Sequence, residues 1–124
     1  MGASRVSEMR LGASWEDETM IRLRTWARRS QFEYSGSVAA GTDIRFGTDR
    51  RQRMSGAQYA ALLRHFKGHT VKMGTSHDNP PPGSVGQWLQ EHVTKMGIAS
   101  YVGPILVREG YAQKAARPSE ICFM

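Results

Sequence analysis

The chain has 124 residues, 40% hydrophobic and 23% charged, which suits one globular domain with its own core and excludes wholesale disorder. A single cysteine, Cys122, excludes an internal disulfide framework and a cysteine-based zinc site, and fits a reducing, cytoplasmic location. The net charge of +6 favours a phosphate-bearing partner, because neutralising phosphates releases counterions.

No apolar run approaches the ~20 residues of a membrane-spanning helix, and residues 1–11 lack the apolar stretch of a secretory signal. A soluble protein without a membrane partner is expected. The positive charge is uneven: net +1 over residues 1–40, +5 over 41–72, −2 over 73–94 and +2 over 95–124.

Residues 1–13 are polar and aperiodic, the pattern of a flexible N-terminus. One domain is expected over 14–124, divided into an extension at 14–54 and a core at 55–124. Ser14 with Asp17 three residues on resembles a capping box. Glu16, Asp17 and Glu18 precede Arg28 and Arg29, an order that complements a helix dipole. Met20, Leu23, Ala27 and Ser30 would share one face, so an N-terminal helix is predicted. A competing reading exists, since Ile21-Arg22-Leu23-Arg24-Thr25 also alternates like a strand.

Gln31–Tyr34 and Asp43–Phe46 read as short strands between Ser35, Gly36, Gly41 and Gly47. Asp49-Arg50-Arg51-Gln52-Arg53 reads as a basic linker. Ser55-Gly56-Ala57-Gln58 has the S-x-x-Q form of a capping box. Tyr59, Leu62, Leu63 and Phe66 follow at helical spacing, and Gly68 ends that helix. Thr70–Thr75 is a predicted strand. Pro80, Pro81 and Pro82 then enforce a loop. Ser84-Val85-Gly86-Gln87 starts a second helix with Val85, Trp88, Leu89 and Val93 on one stripe. After the turn Lys95-Met96-Gly97, a third helix is predicted over Ile98–Glu109, and strands over Tyr111–Ala115 and Ser119–Phe123.

The order helix, strand, helix, helix, strand, strand over residues 55–124 resembles the winged helix-turn-helix superfamily. Supporting details are the short turn at 95–97, Val102 and Leu106 on one face, and the apolar–charged–glycine junction Leu106–Tyr111. The expected fold is thus α+β: a winged-helix-like C-terminal half, helix–strand–helix–helix–β-hairpin, with an N-terminal helix and short strands packed on it. Gly103-Pro104 opposes a regular third helix, since an interior proline costs ~3 kcal/mol.

The resemblance implies a DNA-binding protein, a small transcriptional regulator, whose third helix enters the major groove. It places Ser100 and Tyr101 near base edges or phosphates, and Thr94 and Lys95 at the backbone. Arg108 closes the third helix, and Lys114 and Arg117 lie on the wing as phosphate ligands. Arg45, Arg50, Arg51 and Arg53 would extend the footprint. A homodimer through the N-terminal segment, by Trp15 and Trp26, is the expected assembly. Packing of Tyr101 in the core, with the cations merely solvated, is the alternative for these residues.

Other chemistry is poorly supported. His65, His69, His77 and His92 have no ligand spacing that completes a familiar metal set. Asp43, Asp49, Glu91 and Lys95 form no grouped-carboxylate nuclease motif. Ser84 lacks the G-x-S-x-G elbow and is explained as a cap, and Gly41, Gly47 and Gly74 make no phosphate loop. No catalytic residue or cofactor is predicted. Trp88 has core periodicity, and Cys122 lies in a terminal strand. Two rivals stand beside DNA binding. One is a non-catalytic interaction module, favoured by the second helix with Glu91 and no lysine or arginine. The other is a small ligand-binding protein or enzyme.

Overall fold

A computed structural model describes residues 19–124. The flexible N-terminus expected at 1–13, the capping box at Ser14–Asp17 and Trp15 lie outside the described residues. The described residues open with four strands: β1 (Ile21–Arg24), β2 (Gln31–Ser37), β3 (Gly41–Phe46) and β4 (Arg50–Ser55). They pair antiparallel in the order β1-β2-β3-β4. Each alternates between the core and the opposite face, as a pleated strand must. Ile21 lies opposite Tyr34 and Leu23 opposite Phe32, and Tyr34 lies opposite Ile44. These residues form the inner face.

The expected helix-led, winged-helix architecture is therefore corrected. Among the described residues a four-stranded sheet comes first, and they are β-rich with three helices. The helix predicted from Ser14 does not form over its described part. Its proposed stripe fails, because Ala27 and Ser30 are exposed, and Arg28 has a left-handed φ of 62°, incompatible with a helix. The competing alternation prevails because β2 supplies an apolar partner for Ile21 and Leu23. The linker expected at 49–53 is also corrected: from Arg50 onward it is β4, an edge strand whose arginines are exposed. Charged edge strands of this kind resist pairing with other chains.

Helix α1 (Gly56–Phe66) follows β4 directly, with both capping-box bonds present. The Ser55 N–H donates to Gln58 Oε1 at 2.9 Å, and the Gln58 N–H donates to Ser55 Oγ at 3.1 Å. Its buried residues are Tyr59, Leu62 and Phe66, and the Tyr59 and Thr42 hydroxyls bond at 2.7 Å. Strand β5 (Thr70–Lys72) leads to helix α2 (Val85–His92), capped by Ser84 Oγ accepting from the Gln87 N–H. Helix α3 (Ala99–Arg108), β6 (Ala112–Lys114) and β7 (Glu120–Phe123) complete the chain. The second sheet has the order β5-β7-β6. A single apolar core joins Phe32, Tyr34 and Ile44 of the first sheet to Leu62, Val102 and Leu106 of the helices.

Helix α3 runs through Gly103 and Pro104 without a break. Proline lacks the N–H that would donate to the carbonyl four residues back, Ser100 O. The Trp26 N–H takes that place at 3.0 Å, so the helix defect becomes the anchor for the β1–β2 turn.

Candidate nucleic-acid interface

The first sheet sets its cations in rows. Pairing aligns Arg22, Glu33, Arg45 and Arg51 across all four strands. The two-residue period places them on the face opposite Phe32 and Ile44. Arg24 on β1 and Arg53 on β4 share that face. Glu33 accepts from Arg22 at 2.8 Å, and Asp43 accepts from Arg51. Among the described residues, Arg24, Arg45 and Arg53 form no ion pair.

Beside the β1 edge of the sheet runs a groove of about 410 Å³, with the C-terminal part of α3 as its other wall. Arg22, Arg24, Arg28, Arg108 and Lys114 line it, with Leu23, Pro104 and Val107 as an apolar floor and no carboxylate among the described residues. Arg22 also borders the depression holding Arg45, Arg50 and Arg51, so the sheet cations and the groove are continuous.

Several polar contacts hold this geometry. The Trp26 Nε1–H donates to Pro118 O at 2.8 Å. Lys114 Nζ donates to Trp26 O at 3.1 Å and sits 4.7 Å from the centroid of the Trp26 ring, a cation–π contact. Glu109, next to Arg108, accepts from the Tyr34 hydroxyl at 2.7 Å and the Val38 N–H at 2.9 Å, tying the end of α3 to the sheet. Burial first, and the Glu109 carboxylate second, push the Tyr34 phenol up from 10.0 to about 12.

No protein-family model, curated protein or solved structure matches this chain.

The residues expected to read DNA from the third helix are not presented for it. Tyr101 stacks on Phe46 at 4.5 Å and tilts against Phe32 at 5.1 Å, and burial raises its phenol pKa. The Ser100 carbonyl is taken by Trp26. Of the ten residues of α3, only Arg108 is exposed, because the first sheet covers the face a recognition helix would offer. Thr94 Oγ1 accepts the Met96 N–H at 3.2 Å, a turn contact. Lys95 lies in a different depression with Pro80, Gln90 and Glu91. Arg117 pairs with Glu120 at 3.9 Å.

Arg108 and Lys114 line the groove, Arg45, Arg50 and Arg51 line the depression that continues it, and Arg53 shares the sheet face of Arg45 and Arg51. Sequence reasoning missed Arg22, Arg24 and Arg28. Treating Ile21–Thr25 as a strand would have put Arg22 and Arg24 on one face. Trp26, expected at a dimer interface, is 4% exposed and packed within its own chain. Among the described residues, no group of three or more histidine, cysteine, aspartate or glutamate side chains is placed to hold a metal, and no helix is long and apolar enough to cross a membrane.

Proposed function

We propose that the chain binds nucleic acid, duplex DNA first, by its phosphate backbone along the groove and the arginine face beside it. The observation that carries this reading is the groove itself: five converging cations, four of them (Arg24, Arg28, Arg108 and Lys114) in no ion pair among the described residues, and no carboxylate among the described residues that line it. Cations paired with acids gain little from a polyanion, whereas unpaired ones gain by releasing its counterions.

The aromatic rings nearby favour a duplex over an unpaired strand. Single strands are usually held by base stacking on exposed aromatics, but Trp26, Phe32 and Phe46 are buried. Met124 is the one exposed large hydrophobic residue among the described residues, which disfavours an apolar protein-docking face. With α3 withdrawn from solvent, contacts fall on phosphates rather than base edges, so little sequence discrimination follows.

Fluorescence anisotropy with a labelled random duplex tests the reading. Affinity is expected to fall steeply with salt, with a log–log slope of about −0.9 per phosphate contacted. Arg24→Glu and Arg108→Glu are each expected to weaken binding and flatten that slope, whereas Lys95→Glu, outside the groove, changes little. Absence of binding at low salt, or equal effects of all three reversals, refutes it.

A further inference from the structure

Past Lys114 the groove opens into a cleft of about 610 Å³, a size that accommodates a small organic molecule. Three distant chain segments build it: the β1–β2 turn, the stretch from Lys72 to Pro81, and the β6–β7 turn with its flanks. Among the described residues its charged side chains are Arg28, Lys72 and Lys114, with no carboxylate. Thr75 and Ser119 add hydroxyls, and Pro81 and Pro118 supply apolar wall.

The walls are fixed before any ligand arrives. The Met73 N–H donates to Ser119 O, and the Gly86 N–H donates to Met73 O, both at 2.8 Å. Gly74, at φ 66°, lies so close to Ser84 that a side-chain carbon there would collide with it. Lys114 is held by the Trp26 carbonyl and ring, and an ammonium has three donors, so two remain for a ligand.

Arg28 is the most telling residue. It holds a left-handed backbone, φ 62°, in a tight turn closed by its N–H to Thr25 O at 2.8 Å. Glycine meets that requirement without strain. What arginine adds is a guanidinium at the rim of both groove and cleft.

We propose that this cleft binds a phosphate monoester, with Arg28, Lys72 and Lys114 as its ligands. A monoester carries nearly two negative charges at neutral pH, which three cations without a competing acid balance better than they balance a singly charged carboxylate or phosphodiester. The cleft exceeds the size of inorganic phosphate, so the ester's organic body occupies the remainder against the proline walls. Two sources carry this chemistry: the 5′-phosphorylated end of a nucleic-acid strand, and a free nucleotide-sized molecule.

The test uses the full chain. Calorimetric titration with AMP and with adenosine is paired with anisotropy of one duplex bearing either 5′-phosphate or 5′-hydroxyl ends. AMP is expected to bind and adenosine not to. Arg28→Gly and Lys72→Gln are each expected to weaken AMP by about tenfold or more, the loss of a charge-assisted contact. Arg28→Gly is expected to melt near the parent, since relief of the left-handed backbone offsets the extra freedom glycine gives the unfolded chain. Its loss of binding is then not a loss of fold. Preference for the phosphorylated duplex assigns the strand end as source, and AMP binding with no such preference assigns the free molecule. Binding of AMP without any duplex binding supports the cleft and refutes the duplex reading. Duplex binding with no response to AMP or to end phosphorylation overturns the cleft alone, as does AMP binding that survives both substitutions.

Discussion

Replacing Gly103 with alanine is expected to destabilise the protein, although alanine is the better helix former. Gly103 lies inside α3, where alanine gains ~1 kcal/mol over glycine by propensity. A side-chain carbon at Gly103 would stand 2.7 Å from Met73 Cε, 2.7 Å from Trp26 Cε3 and 3.1 Å from Trp26 Cζ3. Met73 is 1% exposed, so its methyl has little room to retreat. Trp26 is held at three points: its backbone N–H donates to Ser100 O, its indole Nε1–H donates to Pro118 O, and Lys114 lies over its ring. Overpacking a fixed core typically costs ~1–3 kcal/mol, and two contacts this short call for the upper part of that range. The net loss is about 1–2 kcal/mol after the propensity gain. Urea unfolding followed by tryptophan fluorescence measures it. Because Trp26 also orients Lys114, duplex affinity should fall in the folded variant. A Gly103→Ala protein as stable as the parent or more so would show that Trp26 is not clamped against α3.

Other substitutions separate packing from recognition. Tyr101→Phe is expected to leave duplex affinity unchanged, because the ring packs on Phe46; a large loss would restore this residue to the interface. Ser55→Ala removes the side-chain half of the α1 capping box and should cost about 1 kcal/mol by thermal or urea unfolding. Stability should also fall at high pH. The folded-state pKa of Tyr34 is raised, from 10.0 to about 12, so its stabilising contribution is complete below pH 10 and disappears as pH rises toward 12. Tyr34→Phe should flatten that part of the urea-midpoint profile relative to the parent, and identical profiles would contradict the assignment.

The local signals were legible in the chain. Ser55 and Ser84 start helices because a serine hydroxyl meets an N–H three residues away, a contact contained within one turn. Gly68, at φ 75°, follows α1 for a reason equally local. Arg45, Arg50 and Arg51 were recognisable as a basic cluster, though not as parts of two adjacent strands.

Where α1 and α2 begin, where the proline-rich loop interrupts the chain, and that the surface is cationic can all be read from the residues alone. Whether residues 21–25 form helix or strand depends on long-range packing. That choice rests on hydrogen bonds and apolar partners from β2, several residues away, and the same alternation is ambiguous without them. Long-range packing also decides that Tyr101 packs half-buried against the core and that Arg28, Lys72 and Lys114 share a cleft. These positions are separated by more than a complete element of structure, and only the joint packing of the two sheets on α3 brings them together. A helix cap is an interaction between near neighbours, whereas a binding groove is a relation between surfaces that exist only after the core has formed.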